Sequence, residues 1–165
     1  MGYNVKKGKE QATPDGSGFR TFEDLEVYKA AREFRKKMYG VARRLPDFEK
    51  FGLASQIRRA AVSLTNNMAE GHGRYHFADQ VRFFLGSRGL LQELVDDINV
   101  CNDEKYLEGD EITELKGEAW RVLGLINGYL RYLRDRKAND RSAVREGSDD
   151  ELALLDEALR SGGPF

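Results

Sequence analysis

Seven residues, Ile112, Leu115, Ala119, Val122, Ile126, Tyr129 and Leu133, recur at alternating intervals of three and four. Only an α-helix brings such positions onto one side, because steps of about 100° return to the same stripe every seven residues. A long helix with a single apolar seam must bury that seam against other helices. The same logic applies upstream. Phe22, Leu25, Tyr28, Ala31, Phe34, Met38, Val41 and Leu45 keep helical spacing. So do Leu53, Ile57, Ala61, Leu64 and Met68, and again Phe77, Val81, Phe84, Leu91, Val95 and Ile98. No strand-like alternation competes, so the expected fold is all-α. Four long helices with short connections predict an antiparallel up-down-up-down four-helix bundle.

Boundary signals divide this series. Thr21 and Asp24 form an acidic variant of the capping box and open the first helix, while Pro46 disfavours helical geometry at Leu45 and closes it. The loop PDFEKFG, residues 46–52, carries two aromatic residues suited to plugging one end of the bundle. A second helix is expected from Leu53 to Glu70, with Gly71 as a left-handed cap, and a third from Phe77 to Asn102. Asp110 is placed to cap the fourth, which continues to about Lys137. Residues 1–20 hold Lys6, Lys7 and Lys9 among glycines and a proline and read as a flexible basic arm. Residues 138–165 read as an acidic tail with a short amphipathic helix, opened by Ser148 and stopped by Gly162 and Gly163. Residues 21–137 are then the bundle domain.

Two features break the simple pattern. Arg88 falls within the apolar stripe of the third helix, where an unpaired buried charge costs several kcal/mol. It is expected to reach water or to meet a carboxylate, such as Glu70, Glu93 or an acid of a neighbouring subunit. Gly86 and Gly89 flank it and suggest a close backbone approach or a kink. On the fourth helix, Gly117, Gly124 and Gly128 gather nearly opposite the seam. Together they sacrifice on the order of 2 to 3 kcal/mol of helix propensity, which a close-packed partner helix would offset. These glycines, with Leu152, Leu155 and Leu159 of the tail, are the expected oligomer interface.

Charge narrows the choice of partner. The whole chain carries 27 basic and 28 acidic residues, so it is not a generally basic protein. Between Lys50 and Gln92, however, six basic residues face two acidic ones, and between Ala138 and Phe165 three face seven. Arg58, Arg59, Arg74 and Arg82 are the candidate nucleic-acid-binding residues, since guanidinium forks suit phosphate oxygens. The competing reading pairs them with Glu70, Asp79 and Glu93 to fix the second and third helices.

Catalytic and metal readings fare poorly. His72 and His76 are four apart, but Gly71 and Gly73 interrupt the helix that would align them, and no HExxH pattern exists. The segment GHGR lacks the preceding strand of a nucleotide loop. Nothing singles out a nucleophile. A non-enzymatic protein without metal or cofactor is expected. Cys101 is the only cysteine, and no long apolar run or signal peptide is present, so a soluble, cytoplasmic protein without membrane contact is expected.

The segments FEDLEVY (Phe22–Tyr28), FGLASQIRRAA (Phe51–Ala61), VSLTNNMAEGHGR (Val62–Arg74) and FFLGSRGLLQEL (Phe83–Leu94) together resemble a bacterial family. Its members are four-helix-bundle proteins first recognised as products of intervening sequences in 23S ribosomal RNA genes. The resemblance covers roughly residues 22–136. Two positions depart from its pattern, Leu90 where a serine is common and His76 where a serine or threonine is. It implies a homo-oligomer, typically a pentameric ring. More distantly, the chain is similar to accessory proteins of diversity-generating retroelements, basic pentamers that bind a reverse transcriptase and RNA. The expected function is therefore RNA or DNA binding by an oligomeric bundle through its arginine patch. The alternative is a protein-interaction scaffold or accessory subunit, for example of a reverse transcriptase, whose arginines are structural.

Overall fold

A computed structural model describes residues 21–141 and 149–160. Among these, every regular element is helical. Five α-helices follow one another: α1 (Glu26–Arg44), α2 (Leu53–His72), α3 (Phe77–Asp103), α4 (Gly109–Arg141) and α5 (Asp149–Arg160). The four long ones form a helical bundle in which α1 and α3 each pack on both α2 and α4, and α5 lies on α4. The basic arm, Ser148 and Gly162 to Gly163 lie outside the described residues, as does the side chain of Leu152.

The stripes read from the sequence meet in the middle. Phe34 and Met38 of α1, Ile57, Leu64 and Met68 of α2, Phe84, Leu91 and Ile98 of α3, and Ile126 and Leu130 of α4 are fully buried. Each such side chain contributes about 1.5 to 3 kcal/mol relative to exposure. Of the four buried polar residues, Thr65 and Ser87 are tied to neighbours, whereas Asp97 Oδ2 and Asn127 Oδ1 find no hydrogen-bond partner among the described residues. Arg35 donates to Thr65 Oγ1 at 2.7 Å, and Ser87 Oγ donates to the Leu64 carbonyl at 2.9 Å.

Several boundaries differ from expectation. Thr21 does accept from the Glu23 N–H at 3.2 Å, and the Asp24 carboxylate accepts from the Thr21 N–H at 3.1 Å. The capped element, however, is a 3₁₀ turn over Phe22–Asp24, after which Leu25 turns extended and α1 starts afresh. Gly71 is not a left-handed cap. It is helical and buried, and a Cβ there would stand 2.8 Å from the Cβ of Phe83 and 3.2 Å from the Phe84 ring. Its role is to let α2 and α3 approach. Gly86 plays the same part against Asn67, 2.8 Å from a Cβ, whereas nothing crowds Gly89. The helix α4 runs on to Arg141, past the expected end at Lys137.

The loop after α1 also departs from its expected role. Phe48 and Phe51 do not plug the bundle but stand 76% and 88% exposed. Glu49 turns inward instead. Its carboxylate accepts from the Leu53 N–H at 3.0 Å and from the Tyr106 hydroxyl at 3.1 Å, covering the start of α2 and tying it to the loop before α4.

Candidate functional site

The four candidate arginines do not form one cluster. Arg58 lies in the second turn of α2, and Arg74 lies beyond its last turn, roughly 24 Å away at about 1.5 Å per residue. Arg58 donates to the Lys50 carbonyl at 3.1 Å, which pins its guanidinium to the loop without engaging a carboxylate. Arg59 is well exposed and approaches Glu93 of α3 only at 4.0 Å. At the other end, Arg74 pairs with Glu70 and lies 4.9 Å over the Phe83 ring. Arg82 is exposed on α3, with no ion pair among the described residues.

The surrounding acids are unevenly placed. Across α1 and α4, Lys37 bonds Glu114 at 2.6 Å and also Glu118, and Arg44 pairs with Glu111. The Glu111 carboxyl is held below its usual range by the Arg44 guanidinium, which more than offsets a small desolvation. Lys37 and Arg44, at the α1–α4 seam, are thus matched by carboxylates. Of the four candidate arginines, Arg74 has a close carboxylate and Arg59 a distant one, whereas Arg58 and Arg82 have none among the described residues.

His72 and His76 are not brought together as ligands. His72 Nδ1 lies 3.4 Å from the Tyr129 hydroxyl, and burial lowers its pKa, with Asp24 working the other way. His76 is exposed and sits edge-to-face with Tyr75, ring centroids 5.3 Å apart. No group of three metal-ligating side chains occurs among the described residues. Cys101 is fully buried, and desolvation pushes its thiol up to about 11. A thiol held that high is a poor nucleophile at neutral pH.

The glycine face of α4 is open. Nothing lies within 4 Å of a Cβ built at Gly117, Gly124 or Gly128. Trp120 and Tyr132 flank it, 40% and 36% exposed. The tail leucines are placed differently from the expectation that they face another subunit. Leu155 is 1% exposed, packed within the chain itself, and Leu159 is partly buried on the same core.

Arg88 likewise finds its partner within the chain. It bonds none of the carboxylates expected for it but the Ala158 carbonyl, at 2.6 Å, near the end of α5. Arg134 of α4 adds a second tie, 2.8 Å from Asp156. The signal for this docking was present in the leucine spacing, but nothing in the sequence said which surface those leucines would cover.

Among the described residues no helix is long and apolar enough to cross a membrane. A search of curated proteins finds no match. The family of 23S rRNA-intervening sequence proteins matches residues 23–128, from the first 3₁₀ turn to the last glycine of the open α4 face, and the chain belongs to that family.

Proposed function

We propose that this chain is a non-enzymatic, cytoplasmic subunit of a homo-oligomeric ring that binds RNA through the outer face of α2 and α3. The observation that carries this reading is that two arginines of this face have no carboxylate partner among the described residues. Lys37 and Arg44 are neutralised across α1 and α4, while Arg58 bonds only a carbonyl and Arg82 stands in solvent without an ion pair among the described residues. A ring repeats that unmatched face in every subunit, so even a modest local excess becomes a strong field for a polyanion.

Within each subunit the reading takes the four long helices as antiparallel and up-down. Contacts of Arg59 with Glu93, Ser87 with Leu64, and Gly71 with Phe83 support opposed directions for α2 and α3. The open glycine face of α4, rimmed by Trp120 and Tyr132, supports a contact between copies. Five copies per ring follow the family resemblance.

The second reading is an accessory subunit for another protein, such as a reverse transcriptase, with structural arginines. The Arg74–Glu70 pair and the exposed rings of Phe48 and Phe51 favour it. Titrating labelled RNA with the intact oligomer over a range of salt separates the two. RNA binding predicts an affinity that falls steeply with salt and collapses in Arg58→Glu plus Arg59→Glu. Absence of any salt-sensitive binding to RNA or DNA overturns it.

A further inference from the structure

Resting on the RNA-binding reading, we infer that the end of the bundle at the α2–α3 turn holds an unpaired nucleotide, with Tyr75 stacking on its base beside a cation-lined cavity that takes its phosphate. Among the described residues Tyr75 is the most exposed large hydrophobic side chain, at 93%. A ring that is almost wholly in water gains nothing from the fold. Its only described ring contact is with His76, edge-to-face.

The backbone leading into Tyr75 is anchored at Arg74. Gln80 Nε2 donates to the Arg74 carbonyl at 2.5 Å, and the Arg74 guanidinium is fixed by Glu70 and by the Phe83 ring. The tyrosine thus projects from an anchored turn, so stacking a base on it costs little ordering of the chain.

Beside it opens a cavity of about 100 Å³, lined by Tyr75, Phe77, Gln80, Leu133, Arg136 and Lys137. No carboxylate lines it among the described residues. The cavity is well below the size of pockets that enclose small molecules, and it suits a single phosphate group rather than a base. Lys137 Nζ lies 5.5 Å over the Phe77 ring, which holds the ammonium at the mouth. The neighbouring acids, Glu70 of α2, Asp79 beside Gln80 on α3 and Asp135 beside Arg136 on α4, do not enter the lining.

Bases in a duplex are already stacked on their neighbours and cannot offer a face to Tyr75. Single strands and loops can, and aromatic stacking combined with backbone cations is how single strands are held. The Arg58 and Arg59 end of α2 lies at the opposite end of that helix from Tyr75, so it contributes phosphate attraction without discriminating strandedness.

The experiment uses the full chain with one short labelled RNA strand, alone and annealed to its complement, and a DNA strand of the same sequence. Single strands of either sugar are expected to bind at least about tenfold more tightly than duplex. Tyr75→Ala weakens them about 5- to 100-fold, Tyr75→Phe leaves them near wild type, and neither changes duplex affinity. Lys137→Ala lowers the log–log salt slope for the single strand by about 0.7. Equal affinity for strand and duplex, or an unaffected Tyr75→Ala, overturns the inference while leaving the arginine face standing. A change in oligomer mass on Tyr75→Ala also overturns it, because the ring would then belong to a subunit contact. Failure of every nucleic acid to bind overturns both this inference and the reading it rests on.

Discussion

The guanidinium of Arg88, midway along α3, donates to the carbonyl of Ala158 at 2.6 Å in the last turn of α5. The last carbonyls of a helix lack intrahelical partners and carry the negative end of its dipole. A cation there therefore meets both needs at once, and it resolves the presence of a charge inside an apolar stripe. At 12 residues, α5 is too short to be stable alone, so its order depends on Arg88, on the Arg134–Asp156 pair and on buried Leu155.

Arg88→Ala is accordingly expected to loosen α5 while leaving the bundle folded. A charge-assisted hydrogen bond contributes about 1.5 to 3 kcal/mol when buried, and this half-buried one belongs at the lower end. Hydrogen exchange should then speed up about tenfold for the amides of residues 149–160, with α2 and α3 unchanged. Uniform acceleration across all helices would show that Arg88 supports the core rather than the tail.

Asp97 gives a pH dependence of definite sign. It is 7% exposed, its Oδ2 has no hydrogen-bond partner among the described residues, and burial, followed by Glu93 and Asp96, pushes its pKa from 3.8 to about 6 against the pull of Arg59. At pH values below the unfolded pKa the group is protonated in both states and has no effect. As pH rises through the window from about 4 to 6, the unfolded chain ionises first, and the folded state loses about 2 to 3 kcal/mol that stays lost above it. Urea titrations of Asp97→Asn and wild type at both ends of that window should show the variant gaining about 2 kcal/mol relative to wild type at the higher pH. A difference that does not change with pH would mean that Asp97 ionises normally in the fold.

The long helices were readable from spacing because each has one buried face and the 3.6-residue period leaves few alternatives. The seam from Ile112 to Leu133 is buried apart from Tyr129, which is only partly covered. What spacing cannot carry is the identity of the neighbour. Gly71 has the sequence signature of a helix stop, yet it is a packing position, because a cap glycine and a contact glycine differ only in what lies across from them. Arg88 and Leu155 similarly announce that something must cover them without saying what. The arginine patch was legible as composition, but its division into two ends of α2 follows from helix length, and Tyr75 drew no notice because a single aromatic in a turn has no period.

The glycines separate packing from association. Alanine is favoured over glycine in a helix by about 1 kcal/mol, so Gly117→Ala and Gly124→Ala, with nothing in their way, should each raise the stability of the subunit by about 0.5 to 1 kcal/mol. Gly71→Ala meets Phe83 and should cost about 1 to 3 kcal/mol despite the same propensity gain. Denaturant melts test this ordering. If the α4 face meets another copy, the added methyls also hold the backbones apart, and light scattering should record a lower mass for Gly124→Ala. An unchanged mass would move the subunit contact elsewhere.

Lys105 offers the clearest stabilising change. It has φ of 59°, the only positive value outside glycine among the described residues. It ends α3 in a Schellman arrangement, with the Tyr106 N–H donating to the Cys101 carbonyl at 2.8 Å and the Lys105 N–H to the Asn102 carbonyl at 3.1 Å. The left-handed conformation costs a side-chain-bearing residue roughly 1 to 2 kcal/mol, and glycine escapes that cost. Part of the gain is offset, because glycine also loosens the unfolded chain. Lys105→Gly should therefore raise the unfolding free energy by a few tenths to about 1 kcal/mol. Lys105→Val, β-branched at the same φ, should lower it. Melts in which both variants shift in the same direction would mean that the turn after α3 does not hold its left-handed geometry in solution.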